Sequence, residues 1–271
     1  MKLKDWLKLN RSKFSDSDLR FLIKNTFSQS NCLAFEEDTF LTSETEQYLE
    51  KIKQSYLRGM PLAYILGKED FFGWEFKVDN NVLIPRKETE LIVEKAIKII
   101  DDNNLRYVLD LCCGCANIAV SIKKAISNDL FIASSDISFK ALLISKTNSK
   151  IHKANIKLIN SDLLTAFKHN AFDLIISNPP YVEKDCIKGS LSYEPRLALE
   201  AGDDGLVFIK KILLHAHHYL KDKGYFLMEM GYKDKDCVDK LIRKIDSYEI
   251  IEWIKDYSGN DRGVVLRKSR G

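Results

Sequence analysis

A chain of 271 residues, 45% hydrophobic and 30% charged, has the balance of an ordinary globular protein and the length for one large domain plus a small one. A formal net charge of +3 and a pI near 8.4 permit contact with nucleic acid or a ribosomal partner without arguing for either. Met1-Lys2-Leu3-Lys4-Asp5-Trp6 holds no apolar core of signal-peptide length, and no later run approaches a membrane span. Both observations lead to the expectation of a cytoplasmic protein with no membrane partner. Cys112, Cys113 and Cys115 crowd together while Cys32, Cys186 and Cys237 are scattered, which is not a disulfide framework.

Residues 1–68 read as a small helical domain. Leu3, Trp6 and Leu7 share one face, and Ser15 with Asp18 resembles a capping box ahead of Leu19, Leu22, Ile23 and Phe27. Ser43 with Glu46 starts a second helix carrying Tyr48, Leu49, Ile52 and Tyr56, which must end by Gly59-Met60-Pro61. No catalytic constellation appears here, so the module is read as a docking element. In the linker, residues 69–84, Phe72, Trp74, Phe76 and Val78 alternate with polar or small residues. Asp79-Asn80-Asn81 and Val82-Leu83-Ile84 follow, so the expectation is a β-hairpin that joins two domains and turns at the asparagines. Pro85-Arg86 then opens a helix with Glu88 and Glu90 in its first turn. That turn either punctuates the helix or contacts cofactor or substrate.

From residue 107 strands and helices alternate. Strands are expected at 107–111, 130–134, 156–159, 172–177 and 225–230, and helices at 117–125, 138–150 and 205–220. Such alternation predicts an α/β fold with a doubly wound, mostly parallel sheet over residues 85–271. The segments 248–255 and 263–267, around Ser258-Gly259-Asn260-Asp261, close it as an antiparallel edge.

The chemistry concentrates in Phe172-Asp173-Leu174-Ile175-Ile176-Ser177-Asn178-Pro179-Pro180-Tyr181. Its apolar run is that of a strand buried on both faces, cut off by two residues that have no N–H to donate. Asn178 therefore sits at a strand's C-terminal edge, where open α/β sheets bind ligands. Its side chain and the carbonyl of Pro179 are acceptors that suit the coplanar hydrogens of an NH2 group, and Tyr181 supplies an aromatic wall. This sequence resembles the signature of S-adenosylmethionine-dependent methyltransferases acting on planar amide or exocyclic amino nitrogens.

Upstream, Val108-Leu109-Asp110-Leu111-Cys112-Cys113-Gly114-Cys115-Ala116-Asn117 reads as strand, tight turn and helix. Asp136 ends the next strand, about twenty residues on, where an acid takes a ribose diol. Asp162 ends a further strand, with Leu163 beside it, where a carboxylate accepts from an adenine amine. Cys112 and Ala116 stand where such turns usually carry glycine, which calls for a less strained backbone or weaker cofactor binding. Adjacent cysteines without a second spaced Cys/His pair do not make a tetrahedral metal site, and no metal is expected. His215, His217 and His218 read as a solvated or packed helix face.

The motifs run in order along nearly the whole chain: Tyr64-Ile65-Leu66-Gly67, Ile84-Pro85-Arg86 with Glu88-Thr89-Glu90, the cysteine turn, Asn178-Pro179-Pro180-Tyr181, Tyr193-Glu194-Pro195-Arg196 and Gly259-Asn260-Asp261-Arg262. Together they resemble the HemK/PrmC family of release-factor glutamine N(5)-methyltransferases. The resemblance implies a Rossmann-like domain using S-adenosylmethionine. It implies as substrate the Gly-Gly-Gln glutamine of class 1 peptide chain release factors, docked with help from the helical domain. On this view Cys112, Cys113, Gly114, Cys115 and Ala116 line the cofactor, Asp136 binds its ribose, and Asp162 and Leu163 flank its adenine. Asn178 touches cofactor and substrate; Pro179, Pro180 and Tyr181 complete the substrate pocket, with Arg86 and Glu194 as neighbours. A monomer with no stable nucleic-acid partner is expected. Two other readings fit the same residues: an enzyme methylating a flipped base, and a binding module whose altered turn no longer holds the cofactor.

Overall fold

A computed structural model describes residues 1–27, 38–126 and 129–269; Cys32 lies outside them. The chain forms two compact units, Met1–Leu66 and Gly67–Gly271.

The first unit is helical: α1 (Leu3–Asn10), α2 (Asp16–Phe27), α3 (Ser43–Leu57) and the short α4 (Leu62–Leu66). Leu3, Trp6, Leu22, Leu49, Ile52 and Leu62 form its core. Its caps differ in detail from the expected boxes. Ser15 Oγ accepts from the Asp18 N–H at 3.0 Å, but the shorter Asp18 side chain does not reach back to the backbone. It accepts instead from Ser15 Oγ at 2.8 Å and the Tyr56 hydroxyl at 2.7 Å. Helix α3 is capped by Thr42, whose Oγ1 accepts from the Thr45 N–H at 3.1 Å, while Glu46 pairs with the amino terminus.

The second unit opens with a hairpin, β1 (Lys68–Phe71) and β2 (Trp74–Lys77), which pair antiparallel. Its turn is Phe72-Gly73, not the asparagines. Both residues are left-handed, at φ 50° and 76°, as a two-residue turn matching strand twist requires, and Glu90 accepts the Phe72 N–H at 2.9 Å. Asp79 instead folds over the Asn81 N–H at 2.9 Å, and Val82–Ile84 joins no strand. The hairpin is part of this unit and not a free linker. Phe71 and Phe76 are fully buried with Ile92, Val108 and Ile132, and Lys77 exchanges two backbone bonds with the Asn148 side chain.

After α5 (Lys87–Asn103) come β3 (Tyr107–Leu111), α6 (Asn117–Ala125), β4 (Phe131–Asp136), α7 (Phe139–Ile151), β5 (Lys157–Asn160) and β6 (Phe172–Ser177). Helices α8 (Arg196–Leu199) and α9 (Val207–Tyr219), strand β7 (Leu220–Glu229), α10 (Lys235–Ile245), β8 (Tyr248–Lys255) and β9 (Asp261–Lys268) complete the chain. The seven-stranded sheet runs β5-β4-β3-β6-β7-β9-β8, parallel through β7 and antiparallel at β9 and β8. It is the Rossmann-like α/β architecture expected. Alternate residues feed opposite faces: Val108, Leu174 and Ile176 pack with Ile92 and Ile122, whereas Leu109, Leu111 and Ile175 pack with Ile209 and Leu213. Strand order reverses at β3, between β4 and β6, so crossovers diverge there and leave a crevice at the carboxyl edge. No helix among the described residues is long and apolar enough to cross a membrane.

Candidate active site

Chain direction brings the carboxyl ends of β3, β4, β5 and β6 to one side, and a cavity opens there with an empty volume of about 1080 Å³ that includes space open to solvent. Cys112, Cys113, Gly114 and Cys115 after β3, Asp136 ending β4, Asp162 and Leu163 after β5, and Asn178 and Pro180 after β6 all line it. Arg86, Thr89, Pro195, Leu197 and Phe208 close the other sides. Three expected residues do not reach its wall: Ala116 and Pro179 are buried behind it, and Tyr181 turns away.

The turn after β3 corrects the expectation of a relaxed backbone. Cys112 and Ala116 keep left-handed conformations, at φ 63° and 61°, on either side of Gly114 at φ 52°. A side chain in that region costs roughly 1–2 kcal/mol per residue, so the fold must hold the turn from outside. The Cys113 N–H donates to the Ser135 carbonyl at 3.0 Å and the Gly114 N–H to Asp136 Oδ2 at 2.9 Å. From α7, Ser145 Oγ donates to the Gly114 carbonyl at 2.7 Å and Asn148 Nδ2 to the Cys115 carbonyl at 3.0 Å. Sequence reasoning missed Ser145 and Asn148. α7 shows little contrast between its faces in sequence, and only burial beside Ala141, Leu142 and Ile144 marks the two residues. A Cβ built on Gly114 would meet nothing within 4 Å, so the space above the turn is free for a ligand.

Burial pushes all three thiols up, Cys115 to about 12, with the Asp110 carboxylate adding to the effect at each and Asp136 at Cys112 and Cys113, which favours the neutral thiols. No group of three metal-ligating side chains occurs among the described residues. Of the histidines at the end of α9, His217 is half-buried while His215 and His218 are exposed. His217 and His218 lie 3.9 Å apart, His169 stacks on His218, and burial, then the neighbouring His218, hold His217 below its usual range.

Behind Asn178 lies a network that joins two of the motifs through Glu229, which neither contains. Asn178 Nδ2 donates to Thr89 Oγ1 at 3.2 Å, Thr89 Oγ1 donates to Glu229 Oε2 at 2.7 Å, and the Tyr181 hydroxyl donates to Glu229 Oε1 at 3.0 Å. Glu229 is 1% exposed, and burial raises its carboxyl to about 7. Tyr181 is thus a strut under the loop, not the aromatic wall expected. The available signal was Glu229 itself, a lone charge ending the apolar run of β7. Arg86 pairs with Glu194, which is also buried and accepts the Ile84 N–H at 3.1 Å, tying the segment before α8 to the start of α5.

Residues 88–194 match the family model of the methyltransferase small domain. A release factor glutamine methyltransferase of Streptococcus pneumoniae is 38% identical over 229 residues, covering 83% of this chain and 81% of its own. One from Buchnera aphidicola of Acyrthosiphon pisum is 33% identical over 281 residues and spans 99% of both chains. Among solved structures, a methyltransferase from Pyrococcus furiosus aligns with a TM-score of 0.53 over 84% of this chain and 98% of its own. At 17% identity it speaks to the fold alone. With motifs, sheet order and full-length relatives in agreement, the chain belongs to the release factor glutamine methyltransferase family.

Proposed function

We propose that the protein transfers the methyl group of S-adenosylmethionine to the side-chain amide nitrogen of the Gly-Gly-Gln glutamine in class 1 peptide chain release factors. The observation that carries this is the Asn178 amide. Its nitrogen is tied back to Thr89, so its oxygen is left as an acceptor at a cavity that begins with a left-handed small-residue turn.

The residues present fit the cofactor. Open space over Gly114 admits a ligand against the backbone, Asp136 and Asp162 supply acceptors for a diol and an amine, and Leu163 supplies an apolar neighbour for a ring. Asp136 already accepts from the Gly114 and Ser138 N–H groups at 2.9 and 2.8 Å, which fixes its carboxylate for a ligand's hydroxyls on the remaining lone pairs. Cys112, Cys113 and Cys115 line the same wall as small neutral groups, and Ala116 supports them from behind. When bound, S-adenosylmethionine supplies a methyl on a positively charged sulfur.

The rest falls to the chain. A carboxamide nitrogen is not basic, because its lone pair is delocalised into the carbonyl. Asn178 Oδ1, at the cavity wall, accepts one of its hydrogens and aims the lone pair along the transfer axis. Positive charge grows on the nitrogen as the new N–C bond forms, and that acceptor binds this state more strongly than the ground state. The N–H proton becomes acidic only then and passes to solvent, so no general base is needed beforehand. Pro179 and Pro180 stiffen the backbone that follows Asn178. Tyr181 serves from below, through Glu229. The helical unit, residues 1–68 with its end at the hairpin, docks the release factor. The mild net charge supports a protein substrate over a nucleic-acid one.

The test is transfer of labelled methyl to purified release factor beside a variant factor whose Gly-Gly-Gln glutamine is alanine. Label on the first and none on the second is expected. Equal label on both, or label on nucleic acid alone, would overturn the assignment.

A further inference from the structure

A primary amide has a donor end and an acceptor end of nearly equal shape, and only one orientation of Asn178 can bind an incoming NH2. What fixes that orientation can be worked out by counting protons. An ionised Glu229 is acceptor-only. It takes one proton from the Tyr181 hydroxyl at 3.0 Å and the other from Thr89 Oγ1 at 2.7 Å. Having given its single proton away, Thr89 Oγ1 can only accept from Asn178, and it does so at 3.2 Å. The end of the amide facing Thr89 must then be the NH2, and the end facing the cavity must be the oxygen. If Glu229 carries a proton on Oε2, the relay reverses. Glu229 donates to Thr89, Thr89 donates to Asn178, and the amide presents its NH2 to the cavity, donor against donor.

We infer that Thr89 and Glu229 are positioning residues that set which end of the Asn178 amide faces the cavity, an assignment that rests on methyl transfer to an amide NH2. Thr89 borders the cavity beside Asn178 and Glu229 lies buried behind it; both act through the Asn178 amide. Glu229 is suited to the task because it is fully enclosed, so that its protonation state is read by Thr89 and Tyr181 and not by water. Its charged neighbours are Glu88 on α5, which opposes ionisation, and Arg262 on β9, which favours it. Arg262 is shared with Asp256 at 2.9 Å and Glu88 at 3.6 Å, while Arg86 and Arg262 both act on the Tyr181 hydroxyl. The rise of the Glu229 carboxyl to about 7 puts the reversal within the range where such enzymes are assayed.

Thr89→Val, Thr89→Ser and Glu229→Gln are compared with wild type by methyl transfer to release factor from pH 6 to 9, with S-adenosylmethionine binding followed by calorimetry. A merely structural role would move stability and binding together. The positioning role instead lowers kcat at pH 8 by about tenfold to a hundredfold in Thr89→Val and Glu229→Gln, while KM and cofactor Kd change less than about threefold. Thr89→Ser restores kcat. In wild type log kcat falls below about pH 7 with unit slope, and this limb is absent in Glu229→Gln. The side-chain amide of Asn178, followed by nitrogen–proton NMR without substrate, shifts with the same apparent pKa in wild type and is pH-independent in Glu229→Gln. A Thr89→Val enzyme with wild-type kcat, or an Asn178 signal indifferent to pH, overturns the inference. If release factor takes no label while the Asn178 signal still titrates, the substrate reading falls and the positioning network stands.

Discussion

Replacing Asp110 with asparagine should make the protein more stable at pH 8 and change little at pH 4. Asp110 is completely buried under the cysteine turn. Its Oδ2 accepts from the Ala119 N–H at 3.2 Å, and its Oδ1 has no partner among the described residues. Burial, opposed by that one N–H and assisted by the Asp136 charge, raises the carboxyl from 3.8 to about 7. A folded-state pKa above the unfolded one means that the folded chain binds the extra proton. The stability is fully present below pH 3.8 and is lost as pH rises through about 7. The difference corresponds to roughly 4 kcal/mol if the whole shift is realised, a large share of the 5–15 kcal/mol typical of a domain. Asparagine keeps an acceptor for Ala119 and never ionises. The assay is urea unfolding of variant and wild type at half-unit steps from pH 4 to 8.5, read as the difference between them, which cancels Glu229 and every other shared group. That difference should start within about 1 kcal/mol of zero and climb by roughly 2–4 kcal/mol, levelling above pH 7. A flat difference, or a variant less stable than wild type at pH 8, would show that Asp110 ionises at its ordinary pH and that the burial argument fails.

Asn178→Ala should lower kcat about a hundredfold or more with a smaller effect on cofactor binding, measured by single-turnover transfer and calorimetry. Gly114→Ala places a methyl in the open space over the turn at φ 52°; cofactor Kd should rise at least about tenfold, with only about 1 kcal/mol lost in stability. Arg86→Ala strips the buried Glu194 of its ionic partner while leaving it the Ile84 N–H. A loss of about 1–3 kcal/mol in urea unfolding is expected, moderated because the Arg86 side chain is 32% exposed, and faster proteolysis should occur between Val182 and Leu199.

Much of this molecule was legible because its strands advertise themselves. In Phe172–Ser177, Leu174-Ile175-Ile176 between a polar residue on each side reads as a doubly covered strand, and the prolines after it leave one place for Asn178. Asp136, ending β4, and Asp162, two residues past β5, were readable because small polar residues followed by an acid close each strand. The hairpin misled because Asp79-Asn80-Asn81 is the stronger turn by composition, whereas Phe72-Gly73 is stronger by tertiary support, its amide held by Glu90 eighteen residues away. Glu229 and Thr89 could not be joined by inspection. They are separated by 140 positions and meet only because β6 and β7 are neighbours in the sheet, with α5 lying across β7.

The cysteine turn shows how a glycine position can be filled without losing its shape. A left-handed residue with a side chain is strained, but the strain is a fixed cost that external bonds can outweigh. Four such bonds converge here, from Ser135, Asp136, Ser145 and Asn148. Two of them come from one face of α7, so the helix that packs on the sheet also holds the turn against relaxing. The thiols fit because they are small and, once buried, neutral: a serine in the place of Cys113, 4% exposed, would need a stronger partner than the Ser145 hydroxyl 3.8 Å from the thiol. Cys112, Cys113 and Cys115 are thus small side chains accommodated in a tight turn whose shape is held by bonds from β4 and α7.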